Sequence, residues 1–550
     1  MHESIAEVRK NGVNVPGESA YAGQGEEKDL IWAGWQKYLF RVALIFFLGL
    51  VVPVSARWYS FFLNLDWTNL HCRDFYNLTN YHPDFIDVGS RRGIAGYATW
   101  GLILVASLVI ASVWTLLDRN TKNYRVAYYW LRVIVRYRAA LGIIGFGFLK
   151  IFPAQMPYPS LGILNGDFGD MTQQKIYWMS IAVVPWYQAF GGLLEIVAGV
   201  LLLFRKTVAW GSALLVATLG AIVVVNIAYD NSLHAYASLF VVAGLFLLLH
   251  DFGSIYSLLV KEEYTIPFRH YYPDFSIGWK KYVRTGIKSL LIGVFVVWAF
   301  YLEWINFIYD PYKQPSVKGV AGLRGNYQVT EFRINNETIP YSPLDSIRWS
   351  EVTFEKWTSL SFKVNKSNEI DLSNGGGSPA RDINRTTEVA GLAGGRRVFH
   401  YQADTINKIL YLQDKNIVSL VEKKDLNERR KPVQARDTIY PENWIPAEAK
   451  INIGDELYKI DPGAMSATRI REFQEPDYLN RKKMILAYQT IDKGARVILT
   501  GTDEKRDSLY IVLDRIYRPY TLSGSNLVAG DYEAEKRELN PVIRLKPDTD

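Results

Sequence analysis

Cysteine and histidine are almost missing from this chain, with one Cys and seven His in 550 residues. A lone Cys72 closes no internal disulfide, and no CxxC or Cys/His cluster is present to hold zinc or iron–sulfur. His71 adjoins Cys72 but has no third ligand nearby, so the pair reads as packing. The C-terminal half lacks a basic stripe, and residues 309–550 carry a net charge of +2, which argues against nucleic acid as a partner.

Charge is scarce in one half only. Residues 1–308 hold 45 charged side chains and residues 309–550 hold 72, although the mean hydropathy of the whole chain is near zero. Two solvents are implied, a bilayer for the first half and water for the second. Seven apolar segments stand out, at about 31–54, 93–117, 128–152, 177–204, 207–228, 233–250 and 286–308. The first is long enough for a retained span rather than a cleaved signal, and residues 1–30 read as a flexible cytoplasmic tail.

Cations alternate along the loops. Arg119, Lys122, Arg125, Arg132, Arg136 and Arg138 flank one side, Arg205 and Lys206 fall there again, and Lys261 to Lys288 precede the last span. The intervening loops carry few cations, which predicts a cytoplasmic N-terminus and a C-terminal domain across the membrane, in the periplasm of a bacterial inner-membrane protein. The outer loop 55–92, rich in aromatics, is expected to fold over the outer membrane surface.

Ionisable side chains within apolar spans are costly and mark sites. Lys150 lies about 18 Å beyond Arg138 along its helix and Glu195 about 15 Å before Arg205, so the two are expected at similar depth on consecutive antiparallel spans. Two readings stand: a structural ion pair, or a polar centre in which Lys150 is a general base or the pair holds a head group. Tyr187 and Gln188 lie about two turns from Glu195, while Asn226, Asp230 and His234 cluster at the outer ends of the fifth and sixth spans. The Pro/Gly-rich segment after Lys150, with Gln155 and Asp167, cannot continue a helix and is placed to roof a cavity. Gln155, Asp167 and Asp230 are ligand contacts on one reading, turn caps or loop anchors on the other.

The run Arg138…Leu141-Gly142…Gly147-Phe148-Leu149-Lys150, followed by Gly191-Gly192-Leu193-Leu194-Glu195 and Gly199, resembles the DoxX-like membrane proteins across about 130–250. That resemblance implies a four-helix core and, because such proteins include the small subunit of thiosulfate:quinone oxidoreductase, a place beside quinone or lipid-linked redox chemistry. The whole layout resembles the longer DoxX-like proteins of Bacteroidota, which append a β-rich domain. The Gly-two-residues-Lys pattern is also similar, more weakly, to the bundle of vitamin K-dependent γ-carboxylases, where a Lys is the catalytic base.

From Gly325 onward apolar residues alternate at period two, as in Tyr327-Gln328-Val329-Thr330-Glu331-Phe332, Leu360-Ser361-Phe362 and Ser508-Leu509-Tyr510-Ile511. Residues 320–550 are therefore expected to form an all-β domain, a lipocalin-like barrel or a sandwich. The Gly-rich stretch 373–395 reads as a flexible loop and 421–450 as a charged insertion. No catalytic constellation is evident there. Two functions follow: a bundle that binds a quinone or lipid-like molecule as part of a membrane redox system, or a non-enzymatic anchor that docks protein partners of an envelope, secretion or transport complex through its β domain.

Overall fold

The computed structural model describes residues 31–86, 92–263, 278–309, 317–366, 382–415 and 482–517, with a few single positions between them. The expected tail 1–30 and insertion 421–450 lie outside the described residues, as do Asp87 and Arg91 of the outer loop. The N-terminal region is helical: α1 (Gly34–Val51), α2 (Ala56–Leu63), α3 (Cys72–Thr79), α4 (Ala98–Leu117), α5 (Arg125–Ile151), α6 (Leu161–Leu164), α7 (Gln173–Ala182), α8 (Pro185–Leu203), α9 (Val208–Ala228), α10 (His234–Leu248), α11 (Phe252–Leu259), α12 (Trp279–Ile292) and α13 (Ala299–Tyr309).

Among the described residues, five helical stretches are long and apolar enough to cross a membrane: 34–51, 93–117, 185–203, 205–228 and 279–309. A sixth is formed if α10 and α11, bent by 75° at their junction, count as one broken span. The 27-residue α5 is long enough but carries Arg125, Arg132, Arg136, Arg138 and Lys150. The expected segment 177–204 is not one helix. It breaks at Val183-Val184, because Pro185 takes the first position of a new helix, where its missing N–H costs nothing.

α5, α8, α9 and α10 pack in a ring, each against the next and α10 back onto α5. Glycine permits the closest crossing: a Cβ on Gly192 would come within 2.6 Å of the Gly147 carbonyl oxygen, and one on Gly147 within 2.8 Å of that of Gly192. α1 is tied to α4 and to the turn before α5 by the buried Arg41, whose guanidinium donates to Thr115 Oγ1 (2.6 Å), Tyr124 Oη (2.6 Å) and the Asp118 carbonyl (3.0 Å).

The aromatic loop 55–92 does more than lie over an end of the bundle. α3 packs against α5 and α13, and Arg138, at the middle of α5, donates to the carbonyls of Thr79 and Tyr81. Phe75 meets Phe295 and Trp298, with ring centroids 5.7 and 5.5 Å apart. The segment reaches the middle of the helices, where the charged Arg138 needs acceptors and finds them in these two carbonyls.

The C-terminal strands close into an all-antiparallel eight-stranded barrel: β1 (Gly325–Ile334), β3 (Glu351–Phe354), β4 (Ser359–Lys363), β5 (Arg396–Asp404), β6 (Ile409–Asp414), β7 (Lys483–Ile491), β8 (Arg496–Thr502) and β9 (Ser508–Arg515), with β9 returning to β1. A two-residue arm, β2 (Glu337–Thr338), folds back on β1 through Asn335-Asn336, both at positive φ as a type I′ turn requires. Alternate residues such as Tyr327, Phe354, Phe362, Phe399, Tyr401 and Leu486 point inward and are buried. The barrel is a filled core.

The outer wall of β3–β5 is also buried. The segment between α5 and α7 and the strap 382–393 cover it. The strap, expected as part of a flexible loop, packs instead, with Ile383, Glu388 and Leu392 buried. Across this seam Glu355 Oε1 accepts from Gly162 N (2.7 Å) and Oε2 from Leu161 N (3.0 Å), Arg396 donates to the Asn165 carbonyl (3.0 Å), and Thr172 N donates to the Gly391 carbonyl (2.9 Å).

Candidate functional site

Within the ring of α5, α8, α9 and α10 lies a cavity of about 340 Å³, inside the size range of sites for small organic ligands. Most of its wall is apolar, with Phe146 of α5, Leu194 of α8, Leu219, Ile222 and Val225 of α9 and Phe240 of α10. Lys150 and Glu195 meet on that wall, Nζ to Oε1, as an ion pair. The Gly147–Gly192 crossing, one turn earlier in sequence than each, brings their helices close enough for the contact.

Glu195 is almost fully buried, and its second oxygen, Oε2, finds no donor among the described residues. A buried carboxylate oxygen without a donor forfeits about 1–3 kcal/mol that one more hydrogen bond would return. Lys150 likewise has two of its three ammonium protons beyond the Glu195 contact. A donor and an acceptor therefore stand side by side at a wall that is mostly hydrocarbon.

Gln188 lies on the wall and pins the roof. Its Oε1 accepts from Met156 N (2.8 Å) and its Nε2 donates to Met156 O (3.2 Å), holding the Pro-rich segment across the top of α8. Gln155 and Met156 of that segment line the cavity, as do Tyr177 and Trp178 of α7. Asn226, buried at the end of α9, completes the polar rim with Asn231. Tyr187 and Phe190 also line it and are about half exposed (53% and 49%), so this part of the wall is at the same time the outside of the bundle.

Of the residues singled out from the sequence, Lys150, Glu195, Gln155, Tyr187, Gln188 and Asn226 come together around this cavity. Three do not. Asp167 pairs with Lys363 of β4 (2.6 Å) and anchors the roof segment to the barrel. Asp230 pairs with Arg92 (2.6 Å) at the bundle surface. His234 is buried, with Nδ1 2.8 Å from the Asn231 carbonyl and Nε2 2.8 Å from that of Gly93, and serves to tie α10 to the turn before α4. Their turn and loop positions gave them local partners before any ligand could claim them. Trp178 and Tyr236 line the cavity although sequence reasoning passed over them; aromatics near helix ends occur too often to signal a site. Glu303 of α13 is buried beside Arg73 and Cys72, under α3.

A smaller cavity of about 50 Å³ lies on the far side of Gln155, Met156 and Trp178, which line both, and the strap residues Thr387, Ala390 and Gly391 close it. Lys175 borders it, and burial pulls its amine down to about 8 against the opposing pull of Asp371 and Glu388. Among the described residues no group of three or more His, Cys, Asp or Glu side chains could hold a metal ion. Neither family models, curated proteins nor solved structures show a match to this chain.

Proposed function

We propose that this chain is a multi-pass protein of a bacterial inner membrane whose four-helix ring binds a quinone or a lipid-like amphiphile. Its N-terminus would be cytoplasmic and its barrel periplasmic, a reading supported by the alternation of loop cations. The observation that carries the binding reading is a largely apolar cavity lined by the Lys150–Glu195 ion pair, in which Glu195 Oε2 is left without a donor among the described residues. That pair suits a ring bearing oxygen: a carbonyl accepts from Lys150, and a hydroxyl donates to Glu195. A quinone and its hydroquinone satisfy the two groups in turn, and a lipid hydroxyl satisfies the second. The apolar remainder of the cavity suits the ring, and the half-exposed wall at Tyr187 and Phe190 suits a tail continuing into the bilayer. The resemblance of residues 130–250 to the DoxX-like proteins, and through them to a membrane redox system, agrees with this reading.

The barrel has a different part. Filled by its own side chains, it is suited to docking protein partners of a membrane or envelope complex and not to holding a ligand inside. Mass spectrometry of the detergent-purified chain tests the binding reading. One quinone or lipid per chain is expected, and Thr218→Phe, which fills the cavity from α9, should expel it while raising thermal stability. A chain that carries no small molecule, whatever stands at position 218, would overturn the proposal.

A further inference from the structure

At the end of the bundle opposite the barrel, three elements bring cations together. On α12, Lys288 stands one turn from Arg284 and within electrostatic reach of Arg136 of α5. The Lys288 ammonium lies 3.8 Å from the ring centroid of Phe204, the residue that ends α8, and Arg205 and Lys206 follow directly. Neither α5, α12 nor the turn 205–207 contains an Asp or Glu. Among the described residues Arg136, Arg284 and Lys288 have no carboxylate partner, and Arg136 Nε is buried without an acceptor. Like charges held this close repel unless an anion enters between them.

We infer that this cluster is a binding site for the phosphate of one anionic phospholipid, seated between α5, α12 and the end of α8. Its surroundings identify the source of the phosphate as a lipid. Phe204, Ile287 and Leu290 beside the cations are apolar and exposed, at 41%, 55% and 64%, and offer a surface for acyl chains. Lys288 lies about 12 Å along α12 from Lys280, a depth at which a lysine reaches the head-group level from within a span. The phosphodiester would accept from Lys288 and Arg284, with the charge of Arg136 adding to the attraction, and basic pockets between spans on the cytoplasmic side recognise anionic head groups in this way. This site lies apart from the ring cavity and does not depend on what that cavity holds.

The test uses the full chain in detergent, with phosphatidylglycerol or phosphatidylcholine added at equal concentration. Native mass spectrometry should show one retained phosphatidylglycerol in clear excess over phosphatidylcholine, and thermal unfolding should shift upward with the first lipid alone. Arg136→Gln with Lys288→Gln should lower that preference, by roughly fivefold for each cation removed. Lys280→Gln with Lys281→Gln, on the exposed first turn, should leave most of it. Equal retention of the two lipids by the unaltered chain would overturn the inference without any variant. So would undiminished phosphatidylglycerol binding by the Arg136/Lys288 variant. An equal thermal shift with inorganic phosphate would replace the lipid by a free anion.

Discussion

Glu195 lines the cavity with one oxygen held by Lys150 and the other, Oε2, buried without a donor among the described residues. Burial makes the pair asymmetric, since removing either partner strands a charge at a cost of about 3–5 kcal/mol, whereas removing both costs little. Lys150→Met and Glu195→Gln should each lower thermal stability in detergent, and the double variant should regain it. If the pair holds a ligand, the regained stability will come without the co-purified molecule. A double variant that keeps its small molecule would reduce the pair to a structural tie. Both residues were legible in the sequence because a charge inside an apolar run has few innocent explanations. Asp167 and Asp230 carried the same charge without that context, and the structure spends both on loop pairs with Lys363 and Arg92.

At the scale of elements, two features escaped the hydropathy pattern. The segment around α3 is too polar to be counted as a span, yet it enters the bundle to supply carbonyls to Arg138. The fourth apolar run is continuous in hydropathy, yet Pro185 divides it and turns α7 into part of the cavity roof. Hydropathy averages over the residues that decide both cases. The roof is clamped to the barrel by Glu355, whose carboxylate takes the N–H groups of Leu161 and Gly162. Burial lifts this carboxyl from its ordinary 4.5 to about 7, with Glu388 adding to the rise and the two N–H groups opposing it. Because the folded value is the higher one, the stabilisation linked to Glu355 is complete below pH 4.5 and is lost as pH rises through about 7. Thermal stability of the full chain should therefore decline between pH 5 and pH 8, and Glu355→Gln should flatten that decline while lowering stability by about 1 kcal/mol, for one lost N–H bond. An unchanged slope in the variant would assign the pH dependence to other groups.

Over the whole molecule, the period-two pattern from Gly325 was enough to predict an all-β unit, but it left barrel and sandwich open, because alternation reports which face is buried and not whether the last strand returns to the first. The closure is made by β9 on β1, from Tyr327 opposite Arg515 to Ile334 opposite Leu509. Nor did alternation foresee that the wall of β3–β5 would be buried on both faces, inside by the barrel core and outside by the strap and the roof of the bundle. That second burial makes the barrel only partly self-sufficient. Expressed from Val317, it should fold with a cooperative transition and β-type circular dichroism, since its core comes from its own strands. It should also melt lower than the barrel does within the full chain. Without residues 161–172 the fragment leaves Glu355 and Arg396 without the backbone partners they have in the full chain and bares the wall around Ser361. A 157–175 peptide added in trans should bind the fragment and raise its melting temperature, and Glu355→Ala in the fragment should abolish that gain. A fragment as stable as the intact barrel and indifferent to the peptide would show that the seam contributes nothing, and that the helical region and the barrel are joined by the chain alone.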